Sequence, residues 1–312
     1  MWERMRQIWR RRKSVATVGI DFGAVNLKVA ELAQKPEEPV LLRQFAMEDA
    51  PWLESASSQE ASELLRDALG RNGIHAAFAV AGIGAEHSCF RVFRLPVMPQ
   101  KELLEAVRWE LQPFLAEDAK QYYYDAAVLA NKSSADGSVV FAAAALRDRV
   151  DWLAATVSEA GMKLAAVEPE AVAFARVNGA PEEALLVKIE AGHAHLCFVQ
   201  QGVPVADETI ARAKTESSMA DLAAALTEGA AAYQNLHAEY RPQSICVGGD
   251  IIEGEMLGRV VAKKTGLPVR QDACWQQVTA APLFDKDFLE KAAPALSLSI
   301  GLAMRGVQIG LH

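Results

Sequence analysis

Apolar residues recur along this chain with two periods, and the two alternate. Short runs rich in Val, Ile and Ala, bounded by polar residues, read as strands: Val15–Ile20, Leu27–Ala30, Val40–Phe45, Ala76–Ala81, Lys163–Glu168 and Ser244–Val247. In His87–Leu95 the pattern alternates through Cys89, Arg91, Phe93 and Leu95, as in a half-buried strand. Residues 120–129 and 138–146 read as two further strands. Between them lie helical stripes. Leu64, Leu65, Ala68 and Leu69 share one face of Ser62–Leu69. Leu103, Leu104, Val107 and Leu111 do so in Gln100–Leu111, with Glu102, Glu105 and Arg108 outward. Arg147–Gly161, Glu170–Asn178, residues 217–240, Ile251–Lys264 and Ala295–Arg305 complete the helices, and Val269 marks a short strand. Pro113 ends one helix and Pro169 opens another. Pro282 and Pro294 read as breakers in the mixed stretch 272–294. Gly179-Ala180-Pro181 reads as a domain boundary.

The chain has 312 residues, enough for two domains, and its 51% apolar content supports large cores. A net charge of −8 argues against general nucleic-acid binding. The four cysteines, Cys89, Cys197, Cys246 and Cys274, lack paired spacing, which suits a reduced compartment. No apolar run reaches the roughly 18 residues of a membrane span, and the start lacks the apolar core of a signal peptide. The expected location is therefore cytoplasmic. Residues 1–13 differ from the rest: Trp2, Met5, Ile8 and Trp9 fall at helical spacing, with six basic residues against one Glu. Such a segment suits an anionic membrane surface or, alternatively, a solvated leader.

The candidate chemistry lies in the turns. After the first strand comes Asp21-Phe22-Gly23-Ala24-Val25-Asn26, then a strand carrying Lys28. A glycine turn lets backbone N–H groups surround an anion, a carboxylate beside it can hold Mg²⁺ through water, and a lysine can reach a phosphate. The plain alternative is a hairpin whose Asp steadies the turn. Ala184–Phe198 repeats the plan, with an acid at Glu190 and then Gly192 and His193. Ser244–Ile251 is a strand ending in Gly248-Gly249-Asp250, where Asp250 also suits a helix cap. His193, His195 and Cys197 alternate along one strand and so share a face, an alternative arrangement for Zn²⁺ that lacks a fourth ligand. Gly82-Ile83-Gly84 lacks the third glycine of a dinucleotide site.

Two such hairpins followed by a Gly-Gly strand resemble the actin-like ATPase superfamily. The ordered stretches Arg94–Pro99, Trp109–Phe114, Val167–Ala171, Gly202–Val205 and Leu298–Gly306 resemble its PilM branch, which serves type IV pilus assembly. The resemblance runs from about Ser14 to the end of the chain. It implies an α/β, actin-like (ribonuclease H-like) two-domain fold. Domain I would hold 14–180 and 295–312, with an insert at about 75–130, and domain II would hold 181–294.

It further implies ATP and Mg²⁺ as cofactors. Asp21, Glu190 and Glu168 would position metal and water. Gly23, Ala24, Val25, Asn26, Lys28, Gly192, His193, Gly248, Gly249 and Asp250 would surround the nucleotide. The chain departs from the family pattern at Ala24, Glu190, His193 and His195, where small hydroxyls or Asp are usual, so its phosphate turns are degenerate. The implied function is a scaffold peripheral to the inner membrane, linked to the pilus assembly platform and motor. Its insert, with Tyr122, Tyr123 and Tyr124, would border a groove for the N-terminal tail of a PilN-like membrane protein. A filament-forming or division-type ATPase and a small-molecule kinase are the alternatives on the same fold.

Overall fold

The first apolar run becomes β1 (Val15–Phe22), which turns back as β2 (Asn26–Gln34) and again as β3 (Leu41–Asp49). This is a computed structural model, and it describes residues 15–35, 37–131, 137–189, 193–211, 219–249, 254–272 and 274–310. Residues 1–13, the turn carrying Glu190 and Gly192, and Asp250 lie outside the described residues.

Helix α1 (Ser58–Arg71) starts at a capping box in which Ser57 and Glu60 satisfy each other's backbone N–H groups. It leads to β4 (Phe78–Ile83). The chain then leaves for a separate sheet: β5 (Ser88–Leu95), α2 (Gln100–Leu111), β6 (Tyr122–Asn131) and β7 (Ser138–Leu146). It returns through α3 (Arg147–Glu159) to β8 (Lys163–Pro169) and α4 (Glu170–Val177). The second half runs β9 (Glu183–Ile189), β10 (His193–Gln200), β11 (Val203–Ala211), α5 (Met219–Leu236), β12 (Ser244–Gly249), α6 (Gly254–Thr265) and β13 (Val269–Gln271). The short α7 (Cys274–Gln277) and β14 (Thr279–Ala280) precede the long α8 (Lys286–Gln308). No helix among the described residues is long and apolar enough to cross a membrane.

The strands form three sheets, ordered β14-β3-β2-β1-β4-β8, β11-β10-β9-β12-β13 and β5-β7-β6. Apart from the β14 edge, the first two have the same order and direction: an antiparallel meander of three strands with two parallel strands beside its first. Even the irregularities agree. The β2–β3 register shifts between Glu31 and Leu32, and the β10–β11 register shifts between Phe198 and Val199. Hence the chain is one α/β unit built twice.

Two boundaries differ from those read in the sequence. β4 belongs to the first sheet and β7 to the third, so the excursion lies between Ile83 and Arg147 rather than at about 75–130. Composition could not mark this, because β4 and β7 are equally apolar. Pro294 does not break a helix; it lies inside α8. An interior proline costs about 3 kcal/mol. Leu289, Ala292, Leu296, Ile300, Ala303 and Val307 nonetheless keep helical spacing across it and are all buried, which offsets that cost. β14 also pairs with β3, so this stretch joins the first sheet before α8 begins.

Helices α4 and α8 lie between the two large sheets. A single core holds Leu32 and Leu42 from the first sheet, Leu186, Val199 and Cys246 from the second, and Phe174, Leu296 and Ile300 from the helices. Backbones meet directly here. A Cβ at Gly19 would strike Ser299 of α8, and one at Gly301 would strike the Ala173 carbonyl of α4. Glu168 and Arg176 form a bidentate pair, both contacts at 2.6 Å, and Arg176 also donates to the Gly301 carbonyl at 2.9 Å.

Gly301→Val should therefore destabilise the protein by roughly 1–3 kcal/mol or more. Gly70→Ala in α1, where an added Cβ meets nothing, should stabilise it by up to about 1 kcal/mol. Urea unfolding of both variants checks the contrast; a Gly301→Val protein as stable as wild type would refute the close-packed contact.

Candidate functional site

The β1–β2 turn ends on a buried ion pair. Asp21 and Lys28 face each other across the strands, Nζ to Oδ2 3.7 Å, with side chains 1% and 2% exposed. Gly23, Ala24, Val25 and Asn26 form the turn, with Val25 the most exposed, and the Val25 carbonyl accepts from the Ala50 N–H at 2.9 Å. The turn therefore comes preformed, tied to the end of β3. A side chain at Gly23 would crowd Asn26, which explains the glycine.

The β9–β10 hairpin repeats this register, and the repeat corrects one assignment. Lys188 pairs with His195 as Asp21 pairs with Lys28, and Ile189 with Ala194 as Phe22 with Leu27. The counterpart of Asp21 is thus Lys188, not Glu190. Glu190 follows β9 where Gly23 follows β1, and its own structure lies outside the described residues, as does that of Gly192. His193 opens β10. An acid near a glycine is the local signal at Glu190; the position of Lys188 follows only from the pairing of β9 with β10 and β12. Lys188 is 5% exposed and its Nζ lies 2.7 Å from Oε2 of Glu170, at the start of α4.

Asp21, Lys28, Lys188 and Gly249 surround one cavity, closed on its far side by Pro294–Leu298 of α8. The Ser297 hydroxyl, buried at its edge, has no hydrogen-bond partner among the described residues. The empty space there, open solvent included, is about 210 Å³. Gly249 sits at φ +107° with its Cα side against the Ile189 backbone, so only glycine fits where β12 meets β9. Gly248 lies against Phe174 and Asp272. Glu168 is not part of this group; each of its oxygens meets Arg176 at 2.6 Å, so it serves as a counter-ion within the fold. Of the predicted residues, the fold brings Asp21, Lys28 and Gly249 together and leaves Glu168 apart.

A second group of charges lies between the inserted sheet and the second half. Arg91 of β5 reaches Asp207 of β11 at 3.6 Å, the Asp207 side chain being 8% exposed. Nearby, His195 Nδ1 is 3.1 Å from the Thr209 hydroxyl. Burial pushes the Asp207 carboxyl up to about 6, against the opposing pull of Arg91 and His195, with Glu86 adding to the rise. The zinc alternative gains no support here: among the described residues no three His, Cys, Asp or Glu side chains are grouped to hold a metal ion. Burial also raises the Cys197 thiol far above its usual range, which disfavours the thiolate that zinc requires.

The inserted sheet carries exposed aromatic surface. Trp109 on the outer face of α2 is 71% exposed, and Phe114 and Tyr123 are also exposed. Arg91 lies over Phe114 at 4.7 Å and Arg147 over Tyr123 at 4.2 Å, so cations stiffen two of these rings. Beneath them Leu103, Val107, Leu111 and Tyr122 form the insert's own core.

No protein-family model and no curated protein matches the sequence. Solved structures do. A chain of a PilM–PilN type IV pilus biogenesis complex superposes with a TM-score of 0.79 at 18% identity, over 93% of this chain and 98% of that one. The ethanolamine utilization protein EutJ from Carboxydothermus hydrogenoformans superposes with a TM-score of 0.50 at 13% identity, over 93% and 89%. The chain has the actin-like fold, in the form seen in that pilus complex. The duplicated sheets, and the two helices between them, are what that fold consists of here. The actin-like resemblance seen in the hairpins and the structural likeness thus agree on architecture.

The raised Asp207 carboxyl has a stability consequence. Its folded value, about 6, lies above the ordinary 3.8. Its contribution is complete below about pH 4 and is lost as pH rises through about 6, on the order of 2–3 kcal/mol in all. Asp207→Asn should flatten stability against pH between 4 and 6, measured by urea unfolding at several pH values. An unchanged slope would show that Asp207 ionises freely in the folded chain.

Proposed function

We propose that this chain is an actin-like scaffold of type IV pilus or competence-type machinery. It takes the cytoplasmic tail of a PilN-like inner-membrane partner beside its inserted sheet, and so works at the cytoplasmic face of the inner membrane. One observation carries the reading: the fold shared with a chain of the PilM–PilN complex covers 93% of this one. The fraction left out is too short to contain the inserted sheet. That insert is also where Trp109, Phe114 and Tyr123 stand exposed. Rigid aromatic surface with arginines laid across it is suited to anchoring an extended peptide.

Catalysis is the weaker part of the family's chemistry in this chain. In-line phosphoryl transfer needs metal and a positioned water. A bound nucleotide would meet Gly248 and Gly249 from β12 and Asp21 and Lys28 from the first turn. Mg²⁺ would supply charge neutralisation on the phosphates, but the described residues do not fit it. Asp21 is the one carboxylate among those lining the cavity, and it already faces Lys28. The reading is therefore a binding protein rather than an ATPase.

Nucleotide-free protein should retain the cytoplasmic tail peptide of its PilN-like partner at tens of micromolar in fluorescence polarisation. Phe114→Ala and Trp109→Ala should each weaken binding about tenfold, the scale of an interface anchor. Absence of retention by folded wild-type protein would sink the scaffold reading, and full affinity in both variants would move the partner elsewhere.

A further inference from the structure

Duplication of the fold gives two hairpins of matching register, and in this chain the matching strand ends bring opposite charges to one cavity. Asp21 closes the first and Lys188 the second, at matching positions in matching registers. We propose that Lys188 replaces the divalent cation of the second turn, so that the cleft is shut by its own ion pairs and partner binding proceeds without Mg²⁺ or nucleotide. This rests on the scaffold reading above and specifies how the cleft of that scaffold is governed.

Three features carry it. First, Lys188 is buried on β9 of the second half, and Glu170 heads α4, which comes from the first half. Their 2.7 Å contact therefore ties the halves together at the mouth of the cleft. A lysine ammonium is a compact point charge on a flexible stem, able to sit where a cation is needed. Second, among the described residues each lysine lining the cavity already faces a carboxylate. Lys28 faces Asp21 and Lys188 faces Glu170. Metal-bound triphosphate brings further negative charge and would have to displace one or both pairs, leaving a buried charge without its counter-ion. Third, the space is small, and Pro294–Leu298 of α8 lines it. Entry of a nucleotide requires the halves to part around α4 and α8, where both sheets bury apolar side chains in one core.

Other groups face the cavity. Ser297 offers a hydroxyl and Gly249 its backbone. Neither provides the charge of a second carboxylate. An acid at position 188 would bring a second carboxylate to the cavity that Asp21 already lines, and paired carboxylate oxygens are donors that a hard divalent cation takes.

The experiment has two parts. Wild-type protein, stripped of nucleotide, is titrated with ATP in 5 mM MgCl₂ and again in EDTA by calorimetry. The expected result is no binding up to about millimolar ATP in either. Micromolar binding that requires Mg²⁺ overturns the proposal, because the cleft then works as a metal–nucleotide site despite Lys188. Micromolar binding in EDTA overturns it as well, since the ion pairs then do not close the cleft. In the second part, thermal unfolding of Lys188→Asp is followed with and without Mg²⁺ alone. The variant should melt lower than wild type in EDTA and recover several degrees on adding Mg²⁺, by linkage of binding to folding. Wild type should not respond. A Lys188→Asp protein that is indifferent to Mg²⁺, or as stable as wild type in EDTA, shows that Lys188 does not occupy the metal's place. Should that variant fail to fold, the wild-type titration decides alone. Failure of the tail-peptide experiment would remove the partner and leave these titrations intact, so the two ideas fail separately.

Discussion

The contact on which this molecule depends is the one between the backbone of α8 and its neighbours β1 and α4. Gly19 and Gly301 have no side chain because Ser299 and Ala173 occupy the space. Those approaches let α4 and α8 lie side by side between two sheets, and both sheets bury apolar residues against them. The halves therefore share one core, and each keeps a further core of its own. The cleft lies beside that shared core, where Asp21, Lys28, Lys188 and Gly249 at the strand ends face Pro294, Ala295, Ser297 and Leu298 of α8. The Glu168–Arg176 pair, hydrogen-bonded to the Gly301 carbonyl, ties α4 and β8 to α8 within that contact.

Within this frame the chemistry of the cleft reads as closure. Lys28 and Asp21 steady one turn, and Lys188 reaches across to Glu170. Buried pairs of this kind add little net stability over apolar packing, but breaking one by removing a single partner is costly. They act as latches that hold position. The inserted sheet is joined separately to the second half by the Arg91–Asp207 pair.

Much of this was legible in the sequence. The strand before Asp21, the turn after it and the limits of Gln100–Leu111 could be read because local periodicity and punctuation coincide there. The role of Lys188 was not legible from local pattern. It depends on register, and register is fixed by the pairing of β9 with β10 and β12, which no single window contains. Pro294 misled for the opposite reason. The local preference of proline gives way there to the apolar spacing from Leu289 to Val307, which runs through it. Glu168 looked available because its partner Arg176 lies one helix away. The insert boundary was obscured because strands of two different sheets are alike in composition.

The claim that the halves are latched across the cleft is tested most directly by a double-mutant cycle on Glu170 and Lys188. Stability is measured for Glu170→Gln, Lys188→Met and the double variant by urea unfolding. The account predicts that each single change costs on the order of 3 kcal/mol, from the charge left behind, and that the double costs no more than either. Additive losses would show that the two side chains do not act as a pair, and the latch would have to be given up.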